Sequence, residues 1–107
     1  MANNFKNAKL DLTTTNATVL YTAPSATTTV VKSILVSEDS GNADTITLTI
    51  TDSSSAVFSL FKVKAVSANT TVELLTSPLV VEEKEILKAT AATANRLHVV
   101  ASLLEVS

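Results

Sequence analysis

The stretch from Asp44 to Asp52 reads DTITLTITD, and it decides the fold of this chain of 107 residues. Ile46, Leu48 and Ile50 alternate strictly with the four threonines of the stretch. Because successive side chains of a β-strand point to opposite faces, this period of two places the aliphatic groups on one face and the hydroxyls on the other. A helix cannot separate them in this way. The stretch therefore predicts a half-buried strand in an antiparallel sheet.

The same kind of pattern recurs along the chain, interrupted by turn-forming residues. We expect about eight short strands in a single antiparallel β-sandwich, because short strands separated by regular turns are typical of that architecture. The pattern favours a jelly roll, and an immunoglobulin-like sandwich stays open. An arm leads into a short strand at Leu10 and Leu12, and the other predicted strands are 17–22, 28–37, 44–52, 56–66, 70–75, 79–81, 86–90 and 96–106.

We assign the apolar residues of two predicted strands to their alternating registers. In 28–37 these are Val30, Ile34 and Val36 on one register, and Val31 and Leu35 on the other. Such a strand is expected to be covered on both faces. In 56–66 we expect one register to point inward, namely Val57, Phe61 and Val63, while Lys62 and Lys64 point the other way.

The stretch 82–95, EEKEILKATAATAN, is ambiguous. Its alanine, glutamate and lysine residues would suit a helix of about three turns. The alternative is a turn at Glu83 and Lys84, a strand from Ile86 to Thr90 and a polar loop at 91–94. We favour the strand and turn, and the helix stays open.

Length and composition indicate one domain, 1–107, with a short polar arm at about residues 1–8. A chain of this size can bury roughly 65% of its unfolded surface, so it needs no disulfide, and it contains no cysteine. The first residues, MANNFKNAKL, lack the basic and apolar segments of a secretory signal. No stretch approaches the ~20 apolar residues of a membrane-spanning helix. We expect a soluble product made in the cytoplasm.

Charge and residue types disfavour several classes of function. The net charge is −2, with eight basic and ten acidic residues, so we expect no nucleic-acid partner. Gly41 is the only glycine, whereas phosphate-binding and nucleophile-elbow motifs need at least two. His98 is the only histidine, and one histidine among plentiful serines and aspartates is more often structural than catalytic. The sequence therefore predicts neither an enzyme nor a cofactor site.

A calcium site in the segment EDSGNAD is a weaker alternative. Asp39, Ser40, Asn42 and Asp44 offer oxygen ligands, but the spacing differs from that of an EF-hand. An ordinary turn rich in Asx residues is the favoured interpretation, so no metal is expected.

Two motifs carry a resemblance to a known group of proteins. The first is TVLYTAPSATTTVVKSILVS at 18–37, which contains Tyr21, Thr22 and Pro24, and the second is the terminal NRLHVVASLLEVS, which contains Ser102 and Glu105. Together with the opening MANNFKNA, they resemble small virion structural proteins of tailed bacteriophages, especially phages of cyanobacteria and marine bacteria.

The resemblance implies a β-sandwich or jelly roll without an active site. It implies a capsid cement or decoration protein, a homotrimer that binds the phage major capsid protein on the outside of the head and so lies on the virion surface. In that role the N-terminal arm would contact a neighbour, and the expected interface residues are Ala2, Asn3, Asn4, Phe5 and Lys6.

Two other functions stay open at this point. The same kind of sandwich serves as a tail, neck or fibre adaptor in the virion. A glycan-binding module is a more distant alternative, because such modules stack exposed aromatic rings on sugars, and this chain has no tryptophan and a single tyrosine.

Overall fold

The computed structural model describes residues 3–107, and over that range the chain is all-β, as predicted. Nine strands form two antiparallel sheets. The strands are β1 (Asn3–Asp11), β2 (Thr18–Thr22), β3 (Thr28–Glu38), β4 (Asp44–Thr51), β5 (Val57–Val66), β6 (Thr71–Glu73), β7 (Leu79–Val81), β8 (Ile86–Ala91) and β9 (Leu97–Val106).

The strand order is that of a jelly roll. Sheet A has the order β1-β9-β3-β6, with β7 also paired to β3, and sheet B has the order β2-β8-β4-β5. The chain thus forms a long antiparallel ribbon, pairing β1 with β9, β2 with β8, β3 with β6 and β7, and β4 with β5. Successive ribbon segments alternate between the two sheets. This is the double-sheet arrangement that closes a sandwich around one core, and it resolves the choice that the sequence left open.

The core lies between the sheets and follows the alternation of β4. Ile46 and Leu48 are fully buried, whereas Thr45, Thr47 and Thr49 are half-buried. The burial pattern departs from this alternation at the end of the strand, where Ile50 is half-buried and Thr51 is buried. Each fully buried aliphatic side chain contributes about 1.5 to 3 kcal/mol relative to an exposed one. The other buried apolar residues are Leu12, Leu20, Ala23, Val31, Ile34, Val36, Val66, Leu74, Val81, Leu87, Ala89, Ala91, Leu97, Val99, Ala101 and Leu103.

The expected N-terminal arm is corrected by the structure for the residues that it describes. The segment 3–8 is the first part of β1 and pairs residue by residue with β9, from Asn3 opposite Val106 to Ala8 opposite Ala101. Main-chain hydrogen bonds form such a ladder whatever the side chains are, and an edge strand needs no apolar alternation where both of its faces meet water. Met1 and Ala2 lie outside the described residues.

The stretch 82–95 contains no helix, which confirms the strand and turn. The turn at Glu82 to Glu85 leads into β8, which lies in sheet B between β2 and β4. Long-range pairing on both sides outweighs the local helix propensity of alanine, glutamate and lysine.

The inward register predicted for β5 is wrong in part. Phe61 is opposite the buried Leu48 and is partly buried, but Val57 and Val63 are exposed. Two register shifts interrupt the pairing of β5 with β4, and Val63 has a φ of 53°, a conformation that β-branched residues rarely adopt. Each shift changes which residues face the core, so a strict period of two does not hold along this strand.

The two faces of β4 provide the most direct test of the fold. Replacing Leu48 with alanine is expected to lower the free energy of unfolding by about 2 to 5 kcal/mol, because it opens a cavity in the core. Replacing Thr49, its neighbour on the other face, with alanine is expected to cost less than about 1 kcal/mol. Urea denaturation of both variants checks this, and equal losses would contradict the assignment of faces.

Candidate interaction surface

An apolar row crosses the outer face of sheet A. Phe5 of β1 is opposite Leu104 of β9, Leu104 is opposite Val30 of β3, and Val30 is opposite Val80 of β7. Phe5 is 75% exposed and Val80 is 53% exposed, while the two central residues are half-buried. We call these four residues the apolar row. Neighbouring strands lie about 4.8 Å apart, so the row forms a continuous stripe across four strands.

A second exposed apolar pair lies farther along the same face. Val100 and Leu35 are directly opposite each other on β9 and β3. Between this pair and the apolar row lies the polar pair Ser102 and Ser33. Contiguous exposed apolar surface on a small domain marks an interaction site more often than chance exposure of single residues does.

A β-bulge in β3 is what brings both apolar groups to the same face. The register of β3 against β9 shifts between Val31 and Ser33. Val30 and Leu35 are five positions apart in the sequence, so in a regular strand they would point to opposite faces. With the bulge, both face outward while Val31 and Ile34 both lie in the core. The sequence predicted that β3 is covered on both faces, and this is wrong because the bulge was not visible in the pattern.

The carboxylate of Glu73, on β6, holds this bulge. It accepts a hydrogen bond from the main-chain N–H of Ile34 at 2.8 Å, another from Leu75 at 3.2 Å, and one from the hydroxyl of Ser33. Burial alone would raise the pKa of Glu73, but these three hydrogen bonds lower it below its ordinary value. Glu73 is therefore a positioning residue for the outer face of sheet A.

The residues predicted as the interface divide between the two faces of β1. The pairing with β9 places Asn3 and Phe5 on the outer face of sheet A and Asn4 and Lys6 on the opposite side. The Lys6 ammonium lies 3.2 Å from the Glu105 carboxylate. Ala2 lies outside the described residues. Of the described four, Phe5 is the one that belongs to the apolar row.

Tyr21 joins the two sheets directly below this row. Its hydroxyl, on β2 of sheet B, donates a hydrogen bond to the buried carboxylate of Glu105 on β9 at 2.5 Å. The Thr29 hydroxyl of β3 lies 2.7 Å from the same phenol oxygen and serves as its donor. Burial, followed by the hydrogen bond to Glu105, raises the pKa of Tyr21 to about 12. The hydrogen bond from Tyr21 lowers the pKa of Glu105, burial opposes this, and Lys6 lowers it further.

This contact links the two motifs that carry the phage resemblance. Tyr21 belongs to the YTAP motif and Glu105 to the C-terminal motif, and they are 84 positions apart in the chain. The sequence showed each residue but not that they meet. Because Glu105 is adjacent to Leu104, the contact also fixes β9 at the centre of the apolar row.

Replacing Tyr21 with phenylalanine tests this link. The change leaves a buried carboxylate without its main donor, so we expect a loss of about 2 kcal/mol in the free energy of unfolding. Replacing Lys6 with methionine removes only the exposed partner and is expected to cost less than about 1 kcal/mol. Chemical denaturation measures both losses. A Tyr21→Phe variant as stable as the native protein would contradict this role.

The only glycine lies in a loop that is organised by a buried glutamate. Glu38 is 1% exposed, and its carboxylate accepts hydrogen bonds from the main-chain N–H groups of Ser40 at 2.9 Å and of Gly41 and Asn69 at 3.1 Å. The Ser40 hydroxyl donates a fourth. Burial would raise the pKa of Glu38, but these donors lower it from 4.5 to about 2. The carboxylate thus ties the loop after β3 to the segment before β6.

Acid titration tests the role of Glu38. A group whose pKa is lower in the folded than in the unfolded state stabilises the protein above the unfolded value, and this contribution disappears as the pH falls through the folded value. For Glu38 the interval runs from about pH 4.5 to about pH 2. We expect Glu38→Gln to be less stable than the native protein at pH 7 and to lose less stability over that interval.

Urea midpoints measured at several pH values give stability as a function of pH for the native protein and for the Glu38→Gln variant. Glu73 and Glu105 titrate in both proteins, so the difference between the curves isolates Glu38. Parallel curves would contradict the assignment.

His98 lies on the outer face of sheet A between two carboxylates. Its Nε2 is 3.3 Å from Asp11 and its Nδ1 is 3.6 Å from Asp39. Ser37 is opposite it on β3, but the Ser37 hydroxyl is 3.0 Å from that of Thr71. Since both ring nitrogens face carboxylates, neither is directed at Ser37 to act as a base, and the residues do not form a catalytic triad.

The oxygen ligands considered for calcium do not converge. Asp39 faces His98, Ser40 bonds to Glu38, and Asp44 accepts a hydrogen bond from the Thr93 N–H at 3.0 Å. Within residues 3–107, no group of three or more acidic, histidine or cysteine side chains is placed to hold a metal ion.

Surface depressions of the described chain were compared with the residues that a catalytic site needs. A surface depression of about 400 Å³ is lined by Ala26, Thr27, Thr28, Val80, Glu82 and Glu83. This set contains no histidine or cysteine to form a nucleophile and base pair. No helix in the part of the chain that the structure describes is long and apolar enough to cross a membrane.

Comparison with protein-family models and with curated proteins gives no match. The apolar row of sheet A and the two motifs are therefore the features that bear on function.

Proposed function

We propose that this protein is a structural protein of a phage virion, of the capsid cement type, and that it binds the outside of the head through the outer face of sheet A. The observation that carries the proposal is the apolar row, which crosses four strands on the outer face of sheet A. The resemblance of the Tyr21 and Glu105 motifs to virion proteins supplies the identity of the partner, the major capsid protein.

The apolar row suits binding because its two end residues, Phe5 and Val80, are exposed and its two central residues are held in the sheet. Phe5 packs beside the Lys32 ammonium, which lies 5.7 Å from the centre of the ring, and Val30 and Leu104 are held in the sheet. Covering an exposed aliphatic or aromatic side chain contributes about 1.5 to 3 kcal/mol. Side chains whose conformation is already fixed by their neighbours lose little conformational freedom on binding. The entropy cost of binding is therefore smaller.

The mechanism is mass action rather than catalysis. A protein that binds the assembled shell but not its separated subunits shifts the equilibrium toward the intact particle. Contacts that span two neighbouring capsid subunits would stabilise the shell in this way.

Attachment to the tail, neck or fibres is the alternative position in the virion, and it uses the same surface. A glycan-binding role has less support. The one tyrosine, Tyr21, packs against the core and its hydroxyl bonds to Glu105 and Thr29, so its ring is not an exposed sugar-stacking platform.

Two matched valine variants test the surface. Val80 lies in the apolar row and is 53% exposed, whereas Val57 lies on β5 of sheet B and is 63% exposed. We expect Val80→Asp to weaken binding to purified tail-free heads at least tenfold, about 1.4 kcal/mol, because it places a charge in the contact. Val57→Asp is expected to bind like the native protein.

Bound protein is quantified after sedimentation of the heads, and unfolding midpoints confirm that both variants fold. Equal binding by the two variants would contradict the assignment of the surface.

A further inference from the structure

Three of the four sheet edges carry features that prevent pairing with another chain. β5 is interrupted by two register shifts and by the positive φ of Val63, and it carries two lysines. β2 has five residues and a register shift, and Pro24 follows it. The far edge of sheet A consists of β6 and β7, of three residues each, with Pro78 between them. Short strands, bulges, lysine and proline are the usual protections of exposed edges.

The fourth edge, β1, lacks most of these protections. It has nine residues, pairs with β9 without any register shift, and contains neither proline nor glycine. Most of its residues are exposed, and within the described chain its second edge has no partner strand. One of its two lysines, Lys6, is held at Glu105. A long, regular and unprotected edge is a template for main-chain pairing with another strand.

We propose that β1 pairs antiparallel with β1 of a second copy of this chain. The two-fold axis passes between the two copies of Asn7, which face each other. The free N–H and C=O groups of an edge strand belong to alternate residues, so only residues of the same parity can face each other. When β1 pairs with its own copy, one residue of the strand must therefore face the same residue of the second copy. We call this an axis at that residue.

Charge selects the register among the possible axes. An axis at Lys6 would set Lys6 against Lys6 of the second copy, and like charges directly opposite are destabilising. An axis at Ala8 avoids that contact but leaves Asn3 and Asn4 unpaired. An axis at Asn7 pairs all nine residues of β1 and places no two like charges opposite each other.

The register at Asn7 also creates favourable contacts. Phe5 faces Lys9 of the second copy, an arrangement suited to a cation–π contact, and Asn3 faces Asp11 of the second copy. The two sheets A become one continuous sheet, and because the axis is perpendicular to it, both apolar rows lie on the same side. Such an interface is isologous and closes after two copies, so it yields a dimer rather than the trimer that the resemblance implies.

Substitutions on the axis test this pairing in the isolated protein. Asn7→Lys and Asn7→Asp each place like charges against themselves, so each variant is expected to be monomeric at concentrations where the native protein dimerises. A 1:1 mixture of the two is expected to restore the dimer, because lysine then faces aspartate. Asn7→Thr, which is uncharged, is expected to dimerise like the native protein.

Sedimentation equilibrium from low micromolar to millimolar protein gives the masses, and circular dichroism shows that each variant is folded. A native protein that stays monomeric or forms trimers, or charged variants that dimerise normally, would overturn the proposal. So would a mixture that stays monomeric. This experiment uses the isolated protein and no virion. The dimer proposal can therefore fail while the proposed function stands, and the proposed function can fail while the dimer is confirmed.

Discussion

The bulge in β3 is the constraint on which the two faces of sheet A depend. β3 pairs with three strands, β9, β6 and β7, and its register shift beside Ser33 changes the parity of all that follows. Before the shift Val31 is buried, and after it Ile34 and Val36 are buried. A regular strand would place one of these sets in water. Where the ladder is interrupted, Glu73 accepts hydrogen bonds from the main-chain N–H of Ile34 and from the hydroxyl of Ser33, so the bulge is a specific feature of the fold and not a defect.

Carboxylates near β3 and β9 join distant parts of the ribbon in the same way. Glu38 connects two loops, Glu73 holds the bulge, and Glu105 connects the sheets through Tyr21. Each accepts at least two hydrogen bonds, and the buried carboxylates of Glu38 and Glu105 need them if their charge is not to be destabilising. The chain has one glycine and no cysteine. These carboxylates therefore hold distant segments together, which disulfides do in other small domains.

Local patterns in the sequence predicted the strands but not how they pair. The alternation of Ile46 and Leu48 with threonine determines which face of β4 is buried, because that information lies in neighbouring residues. The apolar row depends on registers between strands that are far apart in the chain. Phe5 was predicted as an interface residue, whereas Val30 and Val80 were not. The signal available for Val30 was that β3 is apolar on both registers, which we interpreted as burial on both faces.

The proposed role requires many copies of this protein on each head, because the surface of sheet A acts by binding repeated capsid subunits. The most direct measurement is quantitative mass spectrometry of purified virions, with the ratio of this protein to the major capsid protein determined on intact particles and on separated tails. A ratio near one, or a simple fraction of one, on tail-free heads is the predicted result. A ratio below a few per cent that follows the tails would contradict the cement role and favour the adaptor, and absence from particles would contradict both.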